Sequence, residues 1–184
     1  MLQPNDTLQL LRQHTPFDAQ EQAFTQQTIA FVEANPVDFA LRTLQAGHLT
    51  ASAWVLSPDL SEVLLIHHAK LKSWFQPGGH IELDDVSLWA AALREATEET
   101  TLTQLKPWPS TIVFDIDVHL IPANSSMPAH NHHDIRFAFI AEKTENLAAN
   151  DEVSDIRWIK LADVSQYNAS ESVMRMVNKT LASL

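Results

Sequence analysis

The 184-residue chain has no cysteine, three glycines and one tyrosine, and its 12 Lys and Arg face 23 Asp and Glu, a formal net charge of −11. Each shortage excludes something. Without cysteine there is no disulfide scaffold, no thiolate nucleophile and no thiolate zinc site. With bases so outnumbered, binding to nucleic-acid polymers or acidic membranes is not expected, and an anionic ligand would need a cation or a local basic group to hold it. No uninterrupted apolar run approaches membrane-spanning length, and the opening residues lack a basic region followed by an apolar one, so a cytoplasmic protein is expected. The length suits one domain with a sizeable core.

Two of the three glycines are adjacent, in Trp74-Phe75-Gln76-Pro77-Gly78-Gly79-His80. A rigid Pro followed by two residues without a Cβ marks a turn where backbone can approach a ligand closely. From Ser87 to Leu102 there is neither Pro nor Gly, the residues are strong helix formers, and a hydroxyl is available to cap the first turn. Glu95, Glu98 and Glu99 stand at i, i+3 and i+4, on one face within a single turn, while Trp89, Ala92, Leu93 and Ala96 fall on another. Three carboxylates so placed repel one another unless a cation is held there, and hard oxygen ligands select Mg²⁺, with Mn²⁺ as a substitute.

At these residues the chain resembles the Nudix hydrolases, whose signature reads G-x5-E-x7-R-E-U-x-E-E-x-G-U with U a bulky aliphatic. Arg94, Glu95, Glu98, Glu99 and Leu102 match it. Counting from Gly79, the first acid is Asp85, eight residues instead of seven separate it from Arg94, Ala96 replaces the larger aliphatic, and Thr101 stands at the closing glycine. A β-branched residue is poor at the left-handed conformation that ends a helix, so the helix end is expected to differ locally. The resemblance implies an α/β/α sandwich with a mixed sheet over residues 47–184, preceded by a helical extension over 1–46 that covers the sheet or a partner subunit in a homodimer. It also implies a Mg²⁺-dependent hydrolase cleaving a phosphoanhydride in a small molecule, such as a nucleoside diphosphate linked to another moiety. Glu95, Glu98 and Glu99 would be ligands, joined by the Gly79 carbonyl. Arg94, four residues before Glu98, would orient that carboxylate and be met by Asp85. Glu82, Glu98 and Glu152 are the candidates for general base. A diphosphate isomerase on the same fold would require a catalytic cysteine, which is absent. A non-catalytic binding domain would be expected to have lost motif glutamates, and all three are present.

In the N-terminal part, Asp18 can cap a helix carrying Phe24, Thr28, Phe31 and Val32 at helical spacing, ended by Asn35-Pro36 and followed by a second short helix towards Leu44. Strands are expected over 49–56 and 62–68, joined by a turn at Ser57-Pro58-Asp59, then over 111–120, 134–141 and 156–159, with a closing helix over 170–181. The run 111–120 alternates strictly: Ile112, Phe114, Ile116, Val118 and Leu120 face one way, and Asp115, Asp117 and His119 the other. If it pairs with the next strand through a loop at 122–131, Asp117, His119, His132, Asp134 and Arg136 share one polar face. That face is expected to be the wet side of the sheet or a substrate-selecting surface. A separate zinc site from His130, His132 and His119 or an Asp is conceivable on the same alternation, since residues two apart in a strand point the same way.

Overall fold

The computed structural model describes residues 2–123, 127–143 and 146–184. In chain order it contains α1 (Pro4–Gln13), α2 (Ala19–Ala34), β1 (Gly47–Leu56), β2 (Glu62–His68), β3 (Ser73–Phe75), β4 (Gly78–His80), α3 (Leu88–Thr100), β5 (Lys106–Pro107), β6 (Asp115–Ile121), β7 (His130–Ile140), β8 (Val153–Lys160), a 3₁₀ turn (Leu161–Gln166) and α4 (Glu171–Ala182). No helix among the described residues is long and apolar enough to cross a membrane.

The sheet is built around β1 and β7, which run parallel in register from Gly47↔Asn131 to Leu56↔Ile140. Every residue of β1 is buried, as expected for a parallel central strand covered on both faces. Each of the two strands forks at its outer edge. Along β1, β4 pairs at Thr50 to Ser52 and β2 at Val55 and Leu56; along β7, β6 pairs at the amino-terminal end and β5 at the carboxyl-terminal end. The β1–β2 turn is tied by Ser57, whose hydroxyl donates to Asp59 at 2.6 Å. On one face Leu49, Ala51, Ala53 and Val55 pack with Ala91, Ala92 and Ala96 of α3 and with Leu8, Leu11 and Val32 of the first two helices. On the other, Trp54 and Leu56 pack with Val173, Met176 and Val177 of α4. The architecture is the expected mixed α/β/α sandwich, and the N-terminal helices share its core.

Three expected elements differ, the first being the strand expected over 134–141, which begins at His130 and takes the end of the expected loop. Residues 36–46 form successive turns instead of a helix: Asp38 and Phe39 both return to the Asn35 carbonyl, and Phe39, 2% exposed, plugs the core while its own carbonyl accepts from Leu49. The strand expected from Thr111 starts at Asp115. The carbonyls just before it are taken by side chains, His14 Nδ1 at Val113 (3.2 Å) and Lys179 Nζ at Phe114 (2.7 Å), and the Ile116 amide donates to the Glu21 carboxylate at 3.1 Å. The extension and α4 therefore satisfy the backbone of the outer edge that an unpaired strand would expose. Of the loop expected at 122–131, residues 124–126 lie outside the described residues.

Those edge contacts belong to a buried ionic layer under α4. Asp115, with no exposed surface, receives Arg175 Nε at 2.8 Å, Lys179 Nζ at 3.0 Å and Arg136 Nη1 at 3.1 Å. Lys179 also donates to Glu21. Burial opposes ionisation of Glu21, but His14, Lys179 and the Phe17 amide outweigh it and hold the carboxyl at about 2. Removing one member strands the others. Asp115→Ala should cost about 3–5 kcal/mol in urea denaturation, because three buried cations lose a shared partner. A loss under about 1 kcal/mol, the range of exposed pairs, would show that the layer is not held by this carboxylate.

Candidate functional site

The double glycine and the helix meet directly. Ser87 caps α3 by accepting from the Ala90 amide at 3.1 Å. At the other end Thr101 itself adopts the left-handed conformation, φ +63°, with its amide on the Thr97 carbonyl at 2.9 Å. The helix thus ends as it would on glycine, contrary to expectation; the strain, on the order of 1–2 kcal/mol, is offset by the Thr101 hydroxyl, which accepts from the Ala148 amide and lies 3.2 Å from the Asn146 carbonyl. A Cβ on Gly79 would sit 2.7 Å from the Glu95 carboxylate, and one on Gly78 within 2.6 Å of the Ser52 backbone. At Gly78 that contact is with backbone and requires glycine; at Gly79 a side chain would instead displace the Glu95 carboxylate.

Arg94 is the hub. Its guanidinium spans Asp85 with Nε at 3.2 Å and Nη2 at 3.0 Å, holds Glu95 and Glu98 with Nη1 at 3.1 Å each, and donates to the His80 carbonyl at 2.9 Å. The extra residue between Asp85 and Arg94 is absorbed in the loop without disturbing this fork. Glu99 turns inward and accepts from the Gly78 amide at 2.9 Å. Burial, which outweighs Arg94, and the neighbouring Glu98 and Glu152 raise Glu95 to about 7. Burial, then Glu95, Glu152 and Glu98 raise Glu99 to about 8 against the Gly78 hydrogen bond. Glu98 is the exposed member, and Glu82 is also exposed. These crowded oxygen donors, short of positive charge, fit a hard divalent cation.

The polar face of β6 and β7 is not wet. Asp117, Asp134 and Arg136 are 5%, 3% and 3% exposed and belong to the ionic layer. Arg136 reaches Asp134 at 2.8 Å, Asp115 at 3.1 Å and Asp117 at 3.3 Å, and donates to Ser172 at 2.6 Å. Asp134 in turn accepts from Thr50, Ser52 and Gln76. His119 is the outermost of the five, its Nδ1 3.1 Å from Asp117, and its ring meets His132. His132 belongs to a group that sequence reasoning found only in part: His48 and His80 join His119, His130 and His132. The alternation His48-x-Thr50-x-Ser52 in β1 could have placed His48 on this face. Burial and the surrounding imidazoles, with Arg42 for His48 and His80, lower His48 to about 4, His80 to about 3 and His132 to about 2, so all three are neutral. A cavity of about 570 Å³ opens elsewhere, between the extension and α4, lined by Leu10, Phe17, Trp108 and Ile112 among others. It holds none of the motif residues.

A family model described as NUDIX domain matches residues 47–178. No curated protein matches the sequence. Among solved structures, a C. elegans Ap4A hydrolase binary complex is similar at TM-score 0.56 and 17% identity, over 73% of this chain and 95% of that one. The NUDIX domain of Shewanella oneidensis NrtR, complexed with ADP ribose, is similar at TM-score 0.55 and 20% identity, over 84% and 97%. An E. coli dihydroneopterin triphosphate pyrophosphohydrolase is similar at TM-score 0.55 and 14% identity, over 74% and 96%.

The raised carboxyls make a pH test with a defined sign. Glu99 is protonated in the fold where the unfolded chain would be ionised, so it imposes no penalty below about 4.5, a growing one as pH rises towards 8, and the full one above. The neutral histidines act oppositely below about 6.5, so the effect is read as a difference. Glu99→Gln should gain stability relative to the metal-free parent between pH 5 and 8, by on the order of 2 kcal/mol. A pH-independent difference in chemical denaturation would contradict this.

Proposed function

The chain belongs to the NUDIX family, and we propose that it is a divalent-metal-dependent hydrolase of phosphoanhydrides, acting on a nucleoside diphosphate linked to another moiety or a related diphosphate. The reading rests on one observation: Glu95 and Glu99 lie against the Gly78-Gly79 backbone, and Arg94 braces Glu95 and Glu98 beside them. Glu95, Glu98, Glu99 and the Gly79 carbonyl would hold Mg²⁺ or Mn²⁺. The bound ion would neutralise charge on the transferred phosphoryl and lower the pKa of the attacking water.

The chain's own residues do the positioning. Arg94, shared among Asp85, Glu95 and Glu98, fixes these carboxylates and acts as a positioning residue. Gly79 lets Glu95 lie against the backbone. Near neutrality without a cation Glu99 is largely and Glu95 partly protonated, so both would release protons to a bound cation and metal affinity would rise with pH. Among the candidate bases we assign Glu152: its charge raises the proton affinity of both buried carboxyls, and its amide is fixed by the Asn150 side chain at 2.9 Å. Glu98 is committed to Arg94 and the ion. Selectivity would involve Asp117, His119, His132, Asp134 and Arg136, with the three buried members acting as positioning residues beneath the histidines. The similar proteins include an Ap4A hydrolase, a domain complexed with ADP ribose and a dihydroneopterin triphosphate pyrophosphohydrolase, and these linked phosphates support the substrate class.

A panel of dinucleotides, sugar nucleotides, ADP ribose, triphosphates and non-nucleotide diphosphates, assayed with and without Mg²⁺, tests the reading. Glu98→Gln should lower kcat roughly a hundredfold, the scale of several kcal/mol of charge stabilisation, and shrink the Mg²⁺-induced rise in Tm. Glu152→Gln should lower kcat while leaving that rise intact. Metal-independent turnover, or near-parental activity in Glu98→Gln, would sink the assignment.

A further inference from the structure

The histidine group on the opposite sheet face from α3 has a ligand chemistry of its own. His48 and His132 are directly paired across the parallel β1–β7 ladder, and His130 lies two residues earlier on the same side of β7. Ring centroids are 4.6 Å apart for His48 and His132, 5.1 Å for His48 and His130, and 5.2 Å for His130 and His132. One nitrogen from each lies within 4.8 Å of the other two. His48 is 1% exposed, and among the described residues neither of its ring nitrogens has a hydrogen-bond partner. A buried imidazole with both nitrogens bare is costly, and such orphans call for a missing ion or water.

The surroundings set the tautomers. His130 Nδ1 lies 2.9 Å from the Pro128 carbonyl, which can only accept, so the proton sits on Nδ1 and the Nε2 lone pair is free. His119 Nδ1 is likewise placed on Asp117, the carboxylate–histidine arrangement that orients a metal ligand, and its ring abuts His132. His80 is different: its Nδ1 accepts from Arg42 at 2.6 Å, which leaves the proton on Nε2 and removes it from the ligand set.

We propose that His48, His130 and His132 form a transition-metal site, separate from the motif carboxylates and suited to Zn²⁺, with the fourth position open to His119 or water. Three imidazole nitrogens are borderline-soft donors that favour zinc and disfavour Mg²⁺, which demands oxygen. The site would tie the amino-terminal end of β1 to that of β7. It would also sit against His80, whose carbonyl accepts from Arg94, so occupancy would bear on the motif loop from the far side.

Cobalt is the probe. The full-length protein, stripped with a chelator and desalted, is titrated with Co²⁺ near neutral pH while its visible d–d absorption is followed. One equivalent should give the intense band of a four-coordinate centre, bleached by Zn²⁺ and untouched by millimolar Mg²⁺. The band should persist in Glu98→Gln, and His48→Ala and His132→Ala should each weaken binding roughly tenfold or more. Because His48 is in the core, His132→Ala, which is only half-buried, carries the test if His48→Ala fails to fold. No saturable band in the parent, a band retained in both histidine variants, or one lost in Glu98→Gln would overturn the proposal.

Discussion

A carboxylate with no exposed surface cannot stay ionised alone, and Asp115 is such a carboxylate. Its need for cations draws Arg175 and Lys179 from α4 and Arg136 from β7 to one point. The consequences spread outward by single contacts. Lys179 joins Glu21 and so the N-terminal extension; Arg136 joins Asp134, which accepts from Ser52. Ser52 is the residue that leaves no room for a Cβ on Gly78, and the Gly78 amide holds Glu99. An apolar layer of equal volume could match the stability of this network. It could not fix register so tightly, since a one-residue slip of β7 would send Arg136 into the opposite, apolar core.

Much of this was legible in the sequence because it depends on local spacing. The i, i+3, i+4 glutamates, the Ser87 cap, the Asp18 cap and the Ser57–Asp59 turn are each set within a few residues, and each forms. Alternation in β6 and β7 correctly placed Asp117, Asp134 and Arg136 on a common face. It could not say that α4 would cover that face, because the partners Arg175 and Lys179 lie some sixty residues further on in a helix whose own pattern reads only as amphipathic. His48 escaped for the same reason: its neighbours His130 and His132 come from a strand more than eighty residues away.

Scarcity of glycine sharpens the contrast between Gly79 and Thr101. At Gly79 the obstacle to a side chain is the end of another residue, the Glu95 carboxylate, which would have to leave its place at the site. At Thr101 the obstacle is internal strain, which neighbouring contacts can offset. A family pattern can therefore be broken at a helix end and kept at a close approach. The same distinction explains why an added residue before Arg94 is harmless: the Asp85–Arg94 fork is closed by side chains with reach to spare.

Charge makes the last connection between fold and chemistry. The motif region holds Asp85, Glu95, Glu98, Glu99 and Glu152 around one guanidinium, in a chain already at −11. The fold tolerates this because burial keeps Glu99 largely and Glu95 partly protonated near neutrality. In that state they are poor ligands and repel an anion little; ionised, they would repel it strongly. An anion could approach the ionised cluster only alongside cations, so the electrostatics would couple the two binding events. Under the proposed function, the protons held by Glu95 and Glu99 would be those a cation displaces, and binding of an anionic substrate would then reinforce binding of the cation, a coupling that must be reciprocal.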